Sequence, residues 1–323
     1  MLITVAVATY NRPTLLLEAL DSIAAQTYGS WEVVVVDDGS QPPVERAVIE
    51  AHLGARYTLV RHDVGRGVAE AKNAGVHAAS GEIILHLDDD DLLEPEALER
   101  IAAHFANHPE LDCVFLNTRP FGRFAQGVEE NQQKALARLI AQAAESEDDE
   151  LTYFGTHAFE ALLKSVPLPM QRPAARRGAW NIVGYLTTGL LFSEPDWTIR
   201  ASLHCRMALT KVRLSRWRVD GQNFASRPEA LGDALDNGVA AARKLRDQFD
   251  AESRQAALRV RKLNERLAQA YFDKAYYIWD RHGRTDWHSI MCALRISPSW
   301  RPIRFVIRNF ALKLGLKRPS AAQ

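Results

Sequence analysis

Short apolar runs and segments with helical spacing alternate along the first 117 residues of the chain. Between the first two runs, Pro13 marks a helix start, and the next apolar residues recur at three- and four-residue spacing. The apolar runs are rich in β-branched residues and predict strands at 3–10, 32–40, 57–62, 82–87 and 113–117. Strands that are apolar on both faces and alternate with helices imply a Rossmann-like, mostly parallel sheet covered by helices on both faces. The predicted fold class is therefore α/β.

Polar residues follow three of these strands directly: TYNR at 9–12, Asp37 with Asp38, and Asp88 to Asp91. Right-handed crossovers place the carboxyl ends of parallel strands on one edge of the sheet, where ligands bind in such folds. Taken singly, each group also fits a turn or a helix cap. Three strand ends that carry such groups together favour a binding site.

The run of four aspartates, Asp88 to Asp91, is the strongest part of this pattern. Adjacent carboxylates repel one another, so a cation is expected among them. Oxygen ligands of this kind suit Mg²⁺ or Mn²⁺, which usually keep some waters and also bind a substrate phosphate. The sequence therefore predicts a divalent cation, Mn²⁺ or Mg²⁺, that holds a nucleotide.

Composition excludes several other classes of protein. Lysine plus arginine and aspartate plus glutamate balance at 40 each, so no overall positive charge indicates nucleic-acid binding. Cys113, Cys205 and Cys292 are far apart, which argues against a structural zinc site and a disulfide scaffold. The segment MLITVAVATYNRP has no basic leader, and no apolar run approaches the ~18 residues of a membrane span. We expect a soluble, cytoplasmic protein of a reducing compartment.

Four motifs in order resemble those of family 2 glycosyltransferases with the GT-A fold. They are VAVATYNRP (5–13), EVVVVDDGS (32–40), GRGVAEAKNAG (65–75) and SGEIILHLDDDDLLEP (80–95). The resemblance implies a nucleotide-sugar donor, dependence on Mn²⁺ or Mg²⁺, and transfer with inversion at the anomeric carbon. It also implies a glycan or lipid-linked acceptor, in the synthesis of a cell-envelope polysaccharide or glycoconjugate.

The same resemblance implies roles for individual residues of the donor site. The donor-binding set comprises Thr9, Tyr10 and Arg12 at the base and ribose, Asp37 and Asp38 at the base, Lys72 at the base or diphosphate, and Asp88 and Asp89. Asp88 and Asp90 match the Asp-x-Asp motif of the family, with Asp90 the expected metal ligand and Asp88 beside it. Asp89 and Asp91 are interpreted as supporting charges or caps.

Residues 190–223 resemble the acceptor region of the family, in which an acidic pair just before a tryptophan supplies the general base. Asp196, directly before Trp197, is the best match, and Glu194 is the second, because Pro195 separates the two carboxylates. A histidine often follows the later arginine of the family, and Asp220 stands at that place here. Upstream, PMQRPAARRGAW is interpreted either as a polar loop or as a contact for donor phosphates or an anionic acceptor.

The predicted domain division is a GT-A domain at 1–226 and a helical C-terminal extension at 227–323. The first comprises a nucleotide-binding half (1–117) and an acceptor half (118–226). In the basic tail of the extension, apolar residues fall on one helical face: Ile303, Val306, Ile307, Phe310 and Leu314. Such a helix suits peripheral contact with an anionic membrane, at the inner face of the cell membrane, or docking on the protein itself.

Two alternatives to a glycosyltransferase follow from the same residues. A nucleotidyltransferase shares a nucleotide-binding sheet, but it normally has a glycine-rich phosphate loop after the first strand, which TYNRPTLL lacks. A catalytically silent nucleotide-sugar-binding or assembly module would use the helical extension. The Asp88-x-Asp90 motif and Asp196 count against the silent module.

Overall fold

The computed structural model describes residues 1–155, 157–220, 230–248, 254–298 and 304–305. They belong to two compact units, Met1–Ala230 and Leu231–Gln323. Within the described residues, no helix is long and apolar enough to cross a membrane.

The first half of the larger unit alternates strands and helices, as the apolar pattern predicts. Its elements are β1 (Ile3–Thr9), α1 (Pro13–Ala24), β2 (Trp31–Asp37), α2 (Arg46–Leu53), β3 (Tyr57–Arg61), α3 (Val68–Ala78), β4 (Ile83–Asp88), β5 (Leu92–Leu93), α4 (Ala97–Asn107) and β6 (Cys113–Phe121). The strands β1, β2 and β4 are buried along almost their whole length, because helices cover both faces of the sheet.

The second half of this unit completes the sheet with shorter elements. They are α5 (Ala125–Ala143), β7 (Ala144–Glu147), β8 (Leu151–Phe154), α6 (Ala158–Lys164), a 3₁₀ turn (Leu168–Gln171), β9 (Pro173–Arg176), α7 (Arg177–Val183), α8 (Glu194–Ala201) and β10 (Met207–Arg218). Two tryptophans of this half, Trp180 and Trp197, are fully buried and stack at 4.5 Å between ring centroids.

The described residues form a ten-stranded sheet of order β3-β2-β1-β4-β9-β6-β10-β8-β7, with β5 paired to β10. The neighbours β1, β2, β3 and β4 are parallel, as are β6 and β10. The antiparallel strands β5, β7, β8 and β9 complete the mixed sheet. The predicted α/β fold with a mostly parallel Rossmann-like core is confirmed.

The interpretation of PMQRPAARRGAW as a polar loop is wrong. Residues Pro173–Arg176 form β9, which lies in the middle of the sheet and pairs antiparallel with both β4 and β6. The four residues PAAR contain no β-branched side chain and begin with proline, so no local strand signal exists. The insertion of β9 carries Arg172 to the carboxyl edge of β4.

The second unit is helical, in line with the predicted extension. Its helices are α9 (Ala230–Asp247), α10 (Arg254–His282) and α11 (Trp287–Ile296). Their shared core includes Val239, Ala242, Leu267, Tyr271 and Ala293.

Of the basic tail, the structure describes Arg304 and Phe305. The Phe305 ring is 7% exposed and lies 5.4–5.8 Å from three aromatic rings of α10, namely Phe272, Tyr276 and Trp279. The predicted apolar face (Ile303, Val306, Ile307, Phe310 and Leu314) lies outside the described residues.

Candidate active site

The polar groups that follow β1 and β4 meet at the carboxyl edge of the sheet. The register of β1 pairs Thr9 with Asp37 and the preceding residue with Asp88, so the ends of three strands lie side by side. Thr9 Oγ1 donates to Asp89 Oδ2 at 2.7 Å. Arg12 Nη1 donates to Asp89 Oδ1 and to Asp90 Oδ2, each at 3.1 Å. The β1–α1 loop is thus bound to the acidic run.

Three of the four aspartates can present one oxygen each to a single point. One carboxylate oxygen from each of Asp88, Asp90 and Asp91 lies within 4.8 Å of the other two. Asp89 contributes instead to the contacts with Thr9 and Arg12. The set of three oxygen donors fits a hard divalent cation of the Mg²⁺ or Mn²⁺ kind.

Cationic side chains from two other elements neutralise part of this charge. Lys72 Nζ of α3 lies 2.5 Å from Asp88 Oδ1. Arg172 pairs with Asp91 and lies 3.7 Å from Asp88 Oδ2. Burial alone would raise the pKa of Asp88, but Lys72 and Arg172 hold this pKa well below its usual range. Asp88 is therefore ionised at neutral pH.

Asp90 has a different electrostatic environment from Asp88. Burial, followed by the charges of Asp88 and Asp89, raises the pKa of Asp90 to about 6. Arg12 opposes this shift without cancelling it. Additional positive charge in the cluster would therefore stabilise the ionised form of Asp90.

The two aspartates after β2 hold backbone loops. Asp37 is fully buried, and its carboxylate accepts from the backbone N–H groups of Ser40 (2.8 Å) and Val44 (3.0 Å) while it pairs with Arg61. Asp38 accepts from the N–H groups at 66 and 67 at 2.8–3.1 Å and lies 2.6 Å from His62 Nδ1. Both carboxylates therefore bind the chain's own backbone and side chains in this structure.

The backbone conformation at position 39, directly after these aspartates, requires glycine. Its φ is +88°, and a Cβ here would lie 2.6 Å from the backbone nitrogen of Gly65. The turn after β2 and the loop after β3 therefore touch closely beside Asp38. Tyr10, from the β1–α1 loop, has a side chain that is 54% exposed at this edge and is available to a ligand.

Lys72 joins the acidic run to helix α8, in the second half of the larger unit. Its Nζ contacts Asp88 and also pairs with Glu194, the first residue of α8, which is 122 positions away. Lys72 is 5% exposed, and although burial lowers its pKa, the two carboxylates raise it above the usual value. Glu194 thus lies at the site, one side chain away from Asp88.

Asp196 has contacts of another kind. It is 2% exposed, and its Oδ2 accepts from Thr187 Oγ1 at 2.5 Å and from Arg200 Nε at 3.1 Å. Arg200 also donates to the backbone carbonyls of Val183 and Tyr185. The Asp196–Arg200 pair therefore anchors the loop between α7 and α8.

Two residues outside the predicted site set lie at this edge, and one of them, Arg218, is the later arginine of the family pattern. Arg218, at the end of β10, donates from its backbone N–H to Asp91 Oδ1 (3.1 Å) and from Nε to the carbonyl of Asp90 (3.0 Å). His86 of β4 is buried two positions before Asp88, with its ring edge-on to Trp180 at 5.2 Å. Burial and the nearby Lys72 lower the pKa of His86 to about 3, so its imidazole is neutral. The alternation of side chains along β4 could have placed His86 on the face of Asp88.

Asp220 stands at the position where a histidine was expected from the family pattern. Its Oδ2 lies 3.7 Å from Arg218 Nη1, and Arg218 also pairs with Glu18 of α1. The cluster whose oxygens converge in the described part of the chain comprises Asp88, Asp90 and Asp91, without Asp220.

A family model described as Glycosyl transferase family 2 matches residues 4–166, just over half of the 323 residues. The chain belongs to this family. A PGL/p-HBAD biosynthesis glycosyltransferase of Mycobacterium tuberculosis is 39% identical to this family 2 protein over 115 residues, which cover 35% of this chain and 44% of the relative. This chain likewise covers 38% of an uncharacterized glycosyltransferase of Haemophilus influenzae and 37% of the putative colanic acid biosynthesis glycosyl transferase WcaA of Escherichia coli, so it spans less than half the length of these relatives.

Two solved structures share the fold of this family 2 protein. Staphylococcus aureus TarS 1–349 in complex with UDP-GlcNAc superposes with a TM-score of 0.67 at 18% identity, over 99% of this chain and 93% of that chain. The mannosyltransferase PcManGT of Pyrobaculum calidifontis, in complex with GDP-Man and Mn²⁺, gives a TM-score of 0.57 at 20% identity, over 97% and 80%. At these identities the likeness shows the fold.

Proposed function

We propose that this family 2 protein transfers a sugar from a nucleoside-diphosphate sugar to an acceptor hydroxyl, with inversion at the anomeric carbon and with the help of Mn²⁺ or Mg²⁺. The main support for this proposal is that three carboxylate oxygens, from Asp88, Asp90 and Asp91, converge at the carboxyl edge of the sheet, within the region that matches the family. The nucleotide sugars bound in the TarS and PcManGT structures support the donor class. Membership in the family favours this activity over the nucleotidyltransferase alternative.

The charges at the site support one divalent cation. Among the described side chains that contact one another here, five carboxylates (Asp88 to Asp91 and Glu194) meet three cations, Arg12, Lys72 and Arg172. Two negative charges are left over in this set, and Arg218, which also reaches this edge, pairs with Glu18 and Asp220. We assign Asp88, Asp90 and Asp91 as the candidate ligand set. A bound Mn²⁺ or Mg²⁺ would act as a Lewis acid that offsets the charge on the leaving diphosphate.

We assign the general base to Glu194 and a structural role to Asp196. The acceptor oxygen attacks the anomeric carbon, the bond from this carbon to the diphosphate oxygen breaks, and the hydroxyl proton passes to the Glu194 carboxylate. Glu194 is suited to this step because it lies beside Asp88 through the shared Lys72 and its side chain is 16% exposed, whereas Asp196 is buried and its Oδ2 is held by Arg200 and Thr187. Lys72 keeps Asp88 and Glu194 at a fixed separation, so donor and acceptor groups are oriented together.

A thermal-shift screen of nucleoside diphosphates and their sugars, with and without Mn²⁺, tests the donor class. Ligands that bind only the folded state stabilise it by RT ln(1+[L]/Kd), so the donor should raise the melting temperature, and more so with Mn²⁺. Release of nucleoside diphosphate from the stabilising sugar then measures turnover without a known acceptor. A chain that no nucleotide sugar stabilises and that hydrolyses none of them in Mn²⁺ would contradict the proposal.

A further inference from the structure

The two units of the chain carry opposite net charge, although the whole chain is neutral. Leu231–Gln323 contains 18 Lys/Arg and 9 Asp/Glu, a net charge of +9, whereas Met1–Ala230 contains 22 and 31, a net charge of −9. The positive charge is concentrated late in the second unit, since 287–323 contains seven Lys/Arg and no acidic residue. A charge division of this size indicates a polyanionic partner for the second unit.

Helix α11 presents an apolar stripe on its outer side. Ile290 and Ala293 are fully buried against the rest of the unit. On the outer side, Trp287 is 49% exposed and Met291, one turn later, is 45% exposed. Exposed tryptophan and methionine at i and i+4 form a contiguous patch, and large side chains of this kind are normally withdrawn from water.

Helix α11 is capped at its start, and an arginine lies on each side of the patch. The Asp286 side chain caps α11, because it accepts from the Ser289 N–H at 3.1 Å and from Ser289 Oγ at 2.6 Å. Arg284, before the helix, and Arg295, two turns after Trp287, are both exposed. An apolar patch with basic residues on both sides has the composition of a surface that lies in the headgroup region of a bilayer.

We propose that the second unit binds an anionic lipid bilayer through the outer side of α11, with Trp287 and Met291 entering the interface and Arg284 and Arg295 contacting lipid phosphates. Charge complementarity favours a bilayer over a symmetric contact between the α11 surfaces of two copies, because both surfaces belong to units with a net charge of +9. Trp287, Met291, Arg284 and Arg295 lie within the described residues, so this surface differs from the tail helix predicted from sequence, although the net charge of +9 also counts the tail.

Co-sedimentation of the full chain with lipid vesicles tests this surface. The parent should bind vesicles of phosphatidylcholine and phosphatidylglycerol, and binding should weaken without phosphatidylglycerol or at high salt. The double variant Trp287→Ser, Met291→Ser should lower the partition coefficient by at least about tenfold, because two large side chains no longer enter the interface. The double variant Trp287→Phe, Met291→Leu should bind like the parent.

A matched control uses exposed leucines on the other helices of the unit. Leu231 and Leu258 are 54% and 47% exposed, and the double variant Leu231→Ser, Leu258→Ser should keep vesicle binding within about twofold. Circular dichroism and release of nucleoside diphosphate, measured on each preparation, separate lost lipid binding from lost folding and from a wrong assignment of the activity.

Three outcomes would overturn the proposal. The parent could fail to bind anionic vesicles, the control could lose as much binding as the Trp287 and Met291 serine variant, or binding could be the same on neutral vesicles. Analytical ultracentrifugation adds a fourth. A parent that ignores vesicles but forms dimers, which the serine variant loses, would assign the patch to a second copy of the chain.

Discussion

The amino edge and the carboxyl edge of the same sheet place carboxylates in opposite electrostatic environments. At the amino edge, Glu32 of β2 accepts from Thr4 Oγ1 and the Ser80 N–H at 2.6 Å, from Ser80 Oγ at 2.5 Å and from the Gly81 N–H at 3.2 Å. At the carboxyl edge, Asp88 to Asp91 crowd one another. One edge fully satisfies a single carboxylate, and the other concentrates more negative charge than its cations offset.

From this difference we expect the carboxylate at the amino edge to stabilise the fold and the carboxylates at the carboxyl edge to bind a ligand. Burial alone would raise the pKa of Glu32, but hydrogen bonds from Ser80, Thr4 and Gly81 lower it, so the charged form stabilises the native state. Burial and neighbouring charge raise the pKa of Asp90, so its charged form is disfavoured until a cation binds. Removing a carboxylate should therefore cost stability at the amino edge and ligand binding at the carboxyl edge.

The largest effect is expected at Asp90. Asp90→Asn keeps the shape but removes a charged ligand, so donor turnover should fall by about 10⁴-fold, and nucleotide affinity should lose its dependence on Mn²⁺. Steady-state release of nucleoside diphosphate and titration calorimetry with and without Mn²⁺ measure the two effects. Asp63→Asn, at an exposed carboxylate of the loop after β3, is the control and should behave like the parent. Full activity in Asp90→Asn would remove Asp90 from the ligand set.

The next effect concerns the base. Glu194→Gln should reduce the rate of transfer to acceptor by about 10³-fold and leave nucleotide affinity within a few-fold of the parent, since a positioned base is lost without loss of the donor site. Single-turnover kinetics and calorimetry separate the two quantities. If Glu194→Gln stays active and Asp196→Asn is folded but inactive, the sequence-based preference for Asp196 as the base is right and our assignment is wrong.

Asp196 should affect folding more than chemistry. Asp196→Asn leaves Arg200 buried without a charged partner, and we expect a loss of about 3 kcal/mol in the free energy of unfolding, measured by denaturant titration. Activity per folded molecule should persist. The double variant Asp196→Asn, Arg200→Met should recover part of the stability, because no unpaired buried charge remains; no recovery would show that the ion pair is not the cause.

The smallest effect is expected at the amino edge and depends on pH. The pKa of Glu32 is lowered in the folded state, so its stabilising contribution is present above its unfolded pKa of about 4.5 and is lost as pH falls through the folded pKa. Glu32→Gln should cost about 1–2 kcal/mol at pH 7 and progressively less in acid, while activity is unchanged. Glu82→Gln, at a side chain that accepts one exposed hydrogen bond from the Leu2 N–H at 3.3 Å, is the control. A pH-independent difference would contradict the charge-based account.

The parallel core of the sheet and the edge that carries the site follow from the amino-acid sequence alone. The apolar runs that form β1, β2, β3 and β4 are continuous. This pattern is typical of strands in a parallel sheet that is buried on both faces. The position of the acidic run after β4 follows from the handedness of the crossovers, since it places all parallel strand ends on one edge. The family motifs then indicated the class of ligand.

Which side chains complete the site depends on contacts between residues that are far apart in sequence. Arg172 reaches Asp91 because PAAR forms a central strand, and the Lys72–Glu194 contact joins residues 122 positions apart. The sequence favours Asp196 of SEPDW over Glu194 as the base, yet the turn of α8 pairs Asp196 with Arg200 four residues later and directs Glu194 to Lys72. The physical reason is that local patterns fix burial and periodicity, whereas ion pairs across the chain depend on strand order and register.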